Sequence, residues 1–227
     1  MTVSTPVALQ TAVLVLTASG LFSQSPQPRS EEEREAELKR RVIATLEVST
    51  GATVADVGCG DGFYTIPLAK FVGSSGKVFA VDIDDKELFK MKQHLFEEHL
   101  DNVQVEKGLA NDPRLPVNSL DAAMIVNAYH EMPEHEAMLG HIRVALKQNG
   151  RFVLMERITD RYEKLSREEQ IKKHCMEPQL AKRELESAGF EIVKLDDHFL
   201  DLAPNTEEGT PRWWLVVARR GVDKKGK

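Results

Sequence analysis

The sequence predicts an α/β fold built on a doubly wound, parallel sheet, and three observations lead there. Short apolar runs alternate with helix-length amphipathic segments along most of the chain, the pattern in which each helix crosses back over a sheet of parallel strands. One of those runs, Ala122 to Val126 (A-A-M-I-V), is apolar at every position, as expected of a strand covered on both faces. A third stretch, Val54 to Gly62 (V-A-D-V-G-C-G-D-G), carries a short buried strand straight into an acidic, glycine-dense turn.

Taken in order, residues 7–22 form an apolar run ahead of Ser/Gln/Pro-rich sequence, and their length and flanks fit a signal-peptide core better than a membrane span. Ala18 and Gly20 are small enough for a peptidase site, but no Lys or Arg precedes the run. An uncleaved anchor and a misplaced start codon therefore stay open beside export. A helix is expected from Ser30 to Glu47, with Ser30 as its cap, acids in its first turn and Leu38, Val42, Ile43 and Leu46 on one face. After the glycine turn, Phe63 to Phe71 reads as a helix with Pro67 early enough to cost little, ended by Gly73 to Gly76.

A second strand, Val78 to Asp84 (V-F-A-V-D-I-D), leads into a helix over Asp85 to His99 with Leu88, Met91, Leu95 and either Phe96 or His99 turned inward. Val103 to Glu106 is a third, short strand. The fourth ends in N-A-Y-H-E-M, residues 127–132, and Pro133 to Lys147 is the next helix. Asn149-Gly150 turns the chain into strand five, Arg151 to Met155. Residues 156–176 are highly charged and break the rhythm, which reads either as a lid over a substrate or as a solvated amphipathic connection. Glu177 to Ala188 is a helix stopped by Gly189, Phe190 to Leu195 strand six, and Trp213 to Arg219 a last apolar strand.

With 227 residues, 41% hydrophobic and 29% charged, the chain can bury one sizeable core. A formal net charge of -6 argues against a protein whose main task is holding nucleic acid phosphates. Two cysteines, Cys59 and Cys175, are too few for a disulfide scaffold and read as free thiols.

The glycine turn carries the chemistry. Gly58, Gly60 and Gly62 allow a sharp reversal that leaves bare backbone against a ligand. The spacing is D-x-G-x-G-x-G, not the G-x-G-x-x-G of dinucleotide sites, and Asp56 and Asp61 put negative charge where a diphosphate would be repelled. A cationic ligand bearing an amine and hydroxyls suits it better.

At these residues the chain resembles the class I S-adenosylmethionine-dependent methyltransferases, in their ubiquinone/menaquinone-type branch. The resemblance runs from about residue 35 to 220: it takes in the glycine turn, V-F-A-V-D-I-D, the segment Gly108 to Pro116 (G-L-A-N-D-P-R-L-P), S-L-D-A-A-M-I-V-N at 119–127 and L-K-Q-N-G-R-F-V-L-M-E at 146–156. It implies a Rossmann-like seven-stranded sheet in the order 3-2-1-4-5-7-6 with strand 7 antiparallel. It also implies S-adenosyl-L-methionine as cofactor, held by Asp56, Gly58, Gly60 and Gly62, by Asp82 on the ribose with Ile83 beside it, by Asn111 in the adenine-contacting segment and by Asn127. The domain organisation that follows is a leader and linker at 1–29, the methyltransferase domain at 30–220 and a disordered tail at 221–227.

Ligands of open parallel sheets sit beyond the carboxyl ends of the strands, so N-A-Y-H-E-M should face the same crevice as the glycine turn. A methyltransferase need mainly hold a nucleophile in line with an already activated methyl group and exclude water. For a hydroxyl acceptor, His130 is the expected base, Glu131 its partner or replacement, and Tyr129 a wall of the acceptor pocket. The competing assignment is that these side chains only satisfy backbone groups at helix ends. His174 follows the charged segment, and if it returned to His130 and Glu131 the three would form a plausible metal set.

The expected acceptor is a small molecule rather than a nucleic acid, since N-A-Y-H-E-M is not the Asn-Pro-Pro-Tyr/Phe type of many amino-group nucleic acid methylases. No stable membrane span is expected once the leader is removed. Location stays open between export, if the leader is a signal peptide, and the cytoplasm. The competing function is an exported, non-catalytic binding protein on the same fold, taking metal through His130, Glu131 and His174.

Overall fold

Among the described residues, seven strands form a single sheet in the order β3-β2-β1-β4-β5-β7-β6. In chain order they are β1 (Thr53–Val57), β2 (Lys77–Asp82), β3 (Val103–Lys107), β4 (Leu120–Val126), β5 (Leu146–Thr159), β6 (Phe190–Asp201) and β7 (Pro211–Arg220). β1 to β5 pair in parallel, while β7 slots antiparallel between β5 and β6. The computed structural model describes residues 30–201, 209 and 211–221; the expectations for the leader and for tail residues 222–227 lie outside the described residues. Gly221, the first residue of the expected tail, has its carbonyl held by Arg143 Nη2 at 3.2 Å. Among the described residues no helix is long and apolar enough to cross a membrane.

The helices are α1 (Glu31–Thr45), α2 (Thr65–Val72), α3 (Asp85–Glu97), α4 (His135–Ala145), α5 (Arg167–Lys172) and α6 (Pro178–Ser187). Ser30 starts α1 with a reciprocal cap: its hydroxyl accepts from Glu33 N at 3.1 Å and Glu33 accepts from Ser30 N at 2.9 Å. Two-residue periodicity along the strands divides the core between two faces. Ala55, Val57, Ala123, Ile125, Phe152 and Leu154 pack towards α4 and α6. Val54, Ala122, Met124, Val153 and Met155 pack with Val42 and Ile43 of α1 and Leu68 and Val72 of α2.

Several elements depart from the sequence expectation, among them β6, which runs to Asp201 and not only to Leu195. β5 runs over 14 residues, from Leu146 to Thr159, so residues 156–159 are strand rather than cover. They are strand because β7 pairs with them as far as Thr159 against Pro211. The segment that follows is docked: Gln170, buried to 1% exposure, donates to Leu165 O at 3.0 Å and accepts from Glu177 N at 2.7 Å. Phe96 is 82% exposed, because Leu88, Met91 and Leu95 already fill the inner stripe of α3 and His99, at φ 54°, lies beyond the helix end.

Candidate active site

The candidate site lies beyond the carboxyl ends of the strands, at β1 and β4, where the strand order reverses. On the β1–β2 side it is mostly main chain. Gly58 N and Cys59 N both donate to the Val81 carbonyl, at 2.8 and 3.1 Å, which fastens the bend to β2. Gly58, Gly60 and Gly62 all take positive φ (76°, 53° and 103°), but only one leaves room above it. A Cβ at Gly58 would stand 2.4 Å from the Ala128 Cβ and one at Gly62 2.7 Å from Met91 Sδ, whereas one at Gly60 would meet nothing within 4 Å. Gly58 and Gly62 thus let protein approach protein, and Gly60 presents open backbone.

Asp82 organises that open stretch. Its Oδ2 accepts from Gly60 N and its Oδ1 from Asp84 N, both at 2.9 Å, so the carboxylate is fixed at the rim with lone pairs left for hydroxyl donors. Ile83, 58% exposed, lines the same hollow together with Gly58, Gly108 and Leu109. Asp56 is placed differently, at 2% exposure, and accepts from Thr65 Oγ1 at 2.6 Å. Burial raises its pKa to about 7, with the Thr65 hydrogen bond opposing the shift and the charge of Asp82 adding to it. Burial, then the charges of Asp56 and Asp82, push the Cys59 thiol far above its ordinary range, which leaves it a neutral packing group. Asn111 and Asn127 are exposed and neither lines the hollow; Asn127, at φ 53°, donates its N–H to Met155 O at 2.8 Å as β4 ends.

On the β4–β5 side the side chains do the building. Tyr129–Glu131 form a single 3-10 turn that buries Tyr129 and His130 and leaves Glu131 outside. His130 Nδ1 stands 2.9 Å from Glu156 Oε2, and the His130 N–H donates to Glu156 Oε1 at 3.2 Å. Glu156, in β5, is fully buried. Burial disfavours the charged imidazole, but the hydrogen bond and charge of Glu156, aided by Glu131, outweigh it and raise the His130 pKa. Glu156 has no place in the sequence expectation. A signal for it existed, since it is an acid straight after the apolar run V-L-M, as Asp82 is after V-F-A-V.

Tyr129 gives its hydroxyl to Glu184 Oε2 in α6 at 2.7 Å, and Arg167 Nε reaches the other oxygen of Glu184 at 2.9 Å. His174 comes back to the crevice rim: its ring lies 5.6 Å from that of His130 at 89°, and its Nδ1 is 3.8 Å from Glu131 Oε1. A roomier hollow, about 830 Å³, opens at the other ends of β2 and β3 beside Lys77, His99 and Asn102, and neither the glycine turn nor Asp82 lines it.

A family model described as a methyltransferase domain matches residues 49–197. The chain belongs to this methyltransferase family. Its class is the S-adenosylmethionine-dependent class I type that the motifs resemble, and the matched span holds all the site residues named above, from Asp56 to Glu184. Demethylmenaquinone methyltransferases of Staphylococcus saprophyticus and Geobacillus sp. are 30% and 31% identical over 118 and 123 residues, or 52% and 54% of the chain. The chain spans about half the length of the curated relatives it matches, 50% of each of these two.

Among solved structures, a SAM-dependent methyltransferase from Aquifex aeolicus superposes with a TM-score of 0.64 at 22% identity, over 84% of this chain and 99% of that one. The [4+2]-cyclase SpnF superposes at 0.69 with 18% identity, over 88% and 86%. At those identities the likeness is one of fold. The methyltransferase strand order 3-2-1-4-5-7-6, with β7 antiparallel, is the one the resemblance implied.

Proposed function

We propose that this methyltransferase domain binds S-adenosylmethionine over the Gly60 backbone and transfers its methyl group to a small molecule held at the His130–Glu131 edge of the same crevice. The observation that carries the reading is Asp82, tied to Gly60 N at 2.9 Å and turned to the rim beside the one open glycine of the turn. A carboxylate fixed in that way accepts hydrogen bonds from a vicinal pair of ribose hydroxyls and is complementary to a cationic ligand. Ile83 and Leu109 supply apolar wall for a flat base. The donor, when bound, supplies a methyl group already activated by the sulfonium.

The chain's own task is then to orient the acceptor and keep water away. Glu131 lines the hollow that Asp82 and Gly58 also line, which brings acceptor-side and donor-side groups to one space. His130 is held in orientation by Glu156, and its Nε2 stands 3.6 Å from Oε1 of Glu131, the carboxylate at the hollow that would take an acceptor proton. Tyr129, through Glu184, fixes the turn that carries both. The names of the curated relatives make quinone-related phenols the first acceptors to try.

The test incubates the full chain with S-adenosylmethionine and a panel of small phenols, amines and carboxylates, following S-adenosylhomocysteine and acceptor mass together. Acceptor-dependent S-adenosylhomocysteine with a matching one-methyl mass gain is the expected result. Donor binding without turnover on any acceptor class would favour the non-catalytic binding protein instead.

A further inference from the structure

We infer that His130, Glu131 and His174 form a binding site for a divalent transition-metal ion at the acceptor edge of the crevice. One ligand atom from each of the three lies within 4.8 Å of the others. The His130 Nε2 to Glu131 Oε1 approach is 3.6 Å and the His174 Nδ1 to Glu131 Oε1 approach 3.8 Å. These are longer than hydrogen bonds. They are close to the spacing of about 3.3 Å that ligand atoms take around a tetrahedral zinc with bonds of roughly 2.0–2.1 Å.

The surroundings are those of a metal-ligand histidine. Glu156 engages Nδ1 of His130 at 2.9 Å, which fixes the ring and leaves Nε2 for the ion, the carboxylate–imidazole–metal arrangement of many such sites. His174 is set by its backbone: it takes φ 50° just after α5, and its carbonyl accepts from Arg157 Nε of β5 at 3.3 Å. The buried member is therefore rigid and the outer two adjustable, as Glu131 and His174 side chains are each 66% exposed. Two imidazoles and one carboxylate select zinc, cobalt, iron or manganese over magnesium and calcium, which prefer all-oxygen shells.

Three protein ligands leave a further coordination position for water or a substrate atom, and one of the three, Glu131, also lines the hollow that Asp82 lines. An acceptor oxygen bound there would be held and made more acidic by the ion; with Nδ1 on Glu156 and Nε2 on the metal, His130 would then serve as a ligand in place of a direct base. That purpose rests on the proposed methyl transfer; the metal site itself does not.

The experiment titrates untagged, metal-stripped full chain with zinc by calorimetry and with cobalt by visible absorption, alongside S-adenosylmethionine. Stoichiometric binding of both metals, a cobalt spectrum of low coordination number and no competition from excess magnesium are expected. His174→Ala, a change at an exposed position, should weaken zinc at least about tenfold, and Glu156→Gln should weaken it about tenfold to a hundredfold with all three ligands still present. S-adenosylmethionine affinity should stay the same in both variants, so loss of donor binding in the parent chain counts against the methyltransferase reading and not against the metal site. Absence of zinc binding in the parent chain, or equal affinity in parent and His174→Ala, overturns the inference.

Discussion

The two sides of the crevice are built by different means. On the proposed donor side, Gly58, Gly60, Asp82 and Asp84 meet through main-chain hydrogen bonds to two adjacent strand tips, and the residues concerned lie in two short runs of sequence. On the proposed acceptor side, His130 depends on Glu156 26 residues away, and Tyr129 on Glu184 55 residues away. The first is a backbone device that tolerates little change of shape. The second is a side-chain network that can be altered one partner at a time.

If that division holds, substitutions should register on one side only. Glu156→Ala should have the largest effect: it strips the buried His130 ring and its N–H of their partner, at a cost of about 3 kcal/mol in urea unfolding, while donor affinity in the folded fraction stays within about threefold. Gly58→Ala should cost about 2 kcal/mol or more, since the new Cβ meets Ala128 at 2.4 Å in a left-handed conformation. Gly60→Ala separates the roles of the glycines: the space above it is open, so stability should fall by only about 1 kcal/mol while donor binding weakens clearly in calorimetry.

Asp56 gives a pH signature of the donor side. Its folded pKa, about 7, lies above its ordinary 3.8, so the folded chain holds the extra proton between those values. Its contribution to stability is therefore full below about pH 3.8, is lost as pH rises through the interval to about 7, and is flat above it. Denaturant midpoints across that window should fall less steeply with rising pH in Asp56→Asn, which stays neutral; identical slopes in the two proteins would refute the burial argument. The smallest effect belongs to Tyr129→Phe, which removes one hydrogen bond to Glu184 and should cost about 1 kcal/mol without changing donor affinity.

The same division explains what the sequence revealed. The glycine turn, the acid at 82 and the strand–helix alternation were legible because each is fixed by residues close in the chain. The reach of β5 was not: E-R-I-T at 156–159 is charged enough to look like the start of an insertion, and it is strand because Pro211–Trp214 pair alongside it. Glu156 was missed because an acid after V-L-M reads as a strand reaching water until the Tyr129–Glu131 turn is seen to engage it through His130. His174 could be named from its residue type, but its return to Glu131 depends on how the segment after α5 is tied to β5, with Arg157 Nε donating to His174 O and Met176 N to Arg157 O. Phe96 shows the converse, an apolar residue one position off a stripe already filled.

The central claim is that Asp82 and the open backbone of Gly60 together make the donor site. Calorimetric titration of S-adenosylmethionine into the parent chain and into Asp82→Ala tests it most directly, with the melting temperature of each recorded first. Removing the carboxylate deletes charge-assisted hydrogen bonds and frees Gly60 N, so the dissociation constant should rise at least about tenfold in a variant that still folds. A folded Asp82→Ala chain with an unchanged dissociation constant would contradict the account.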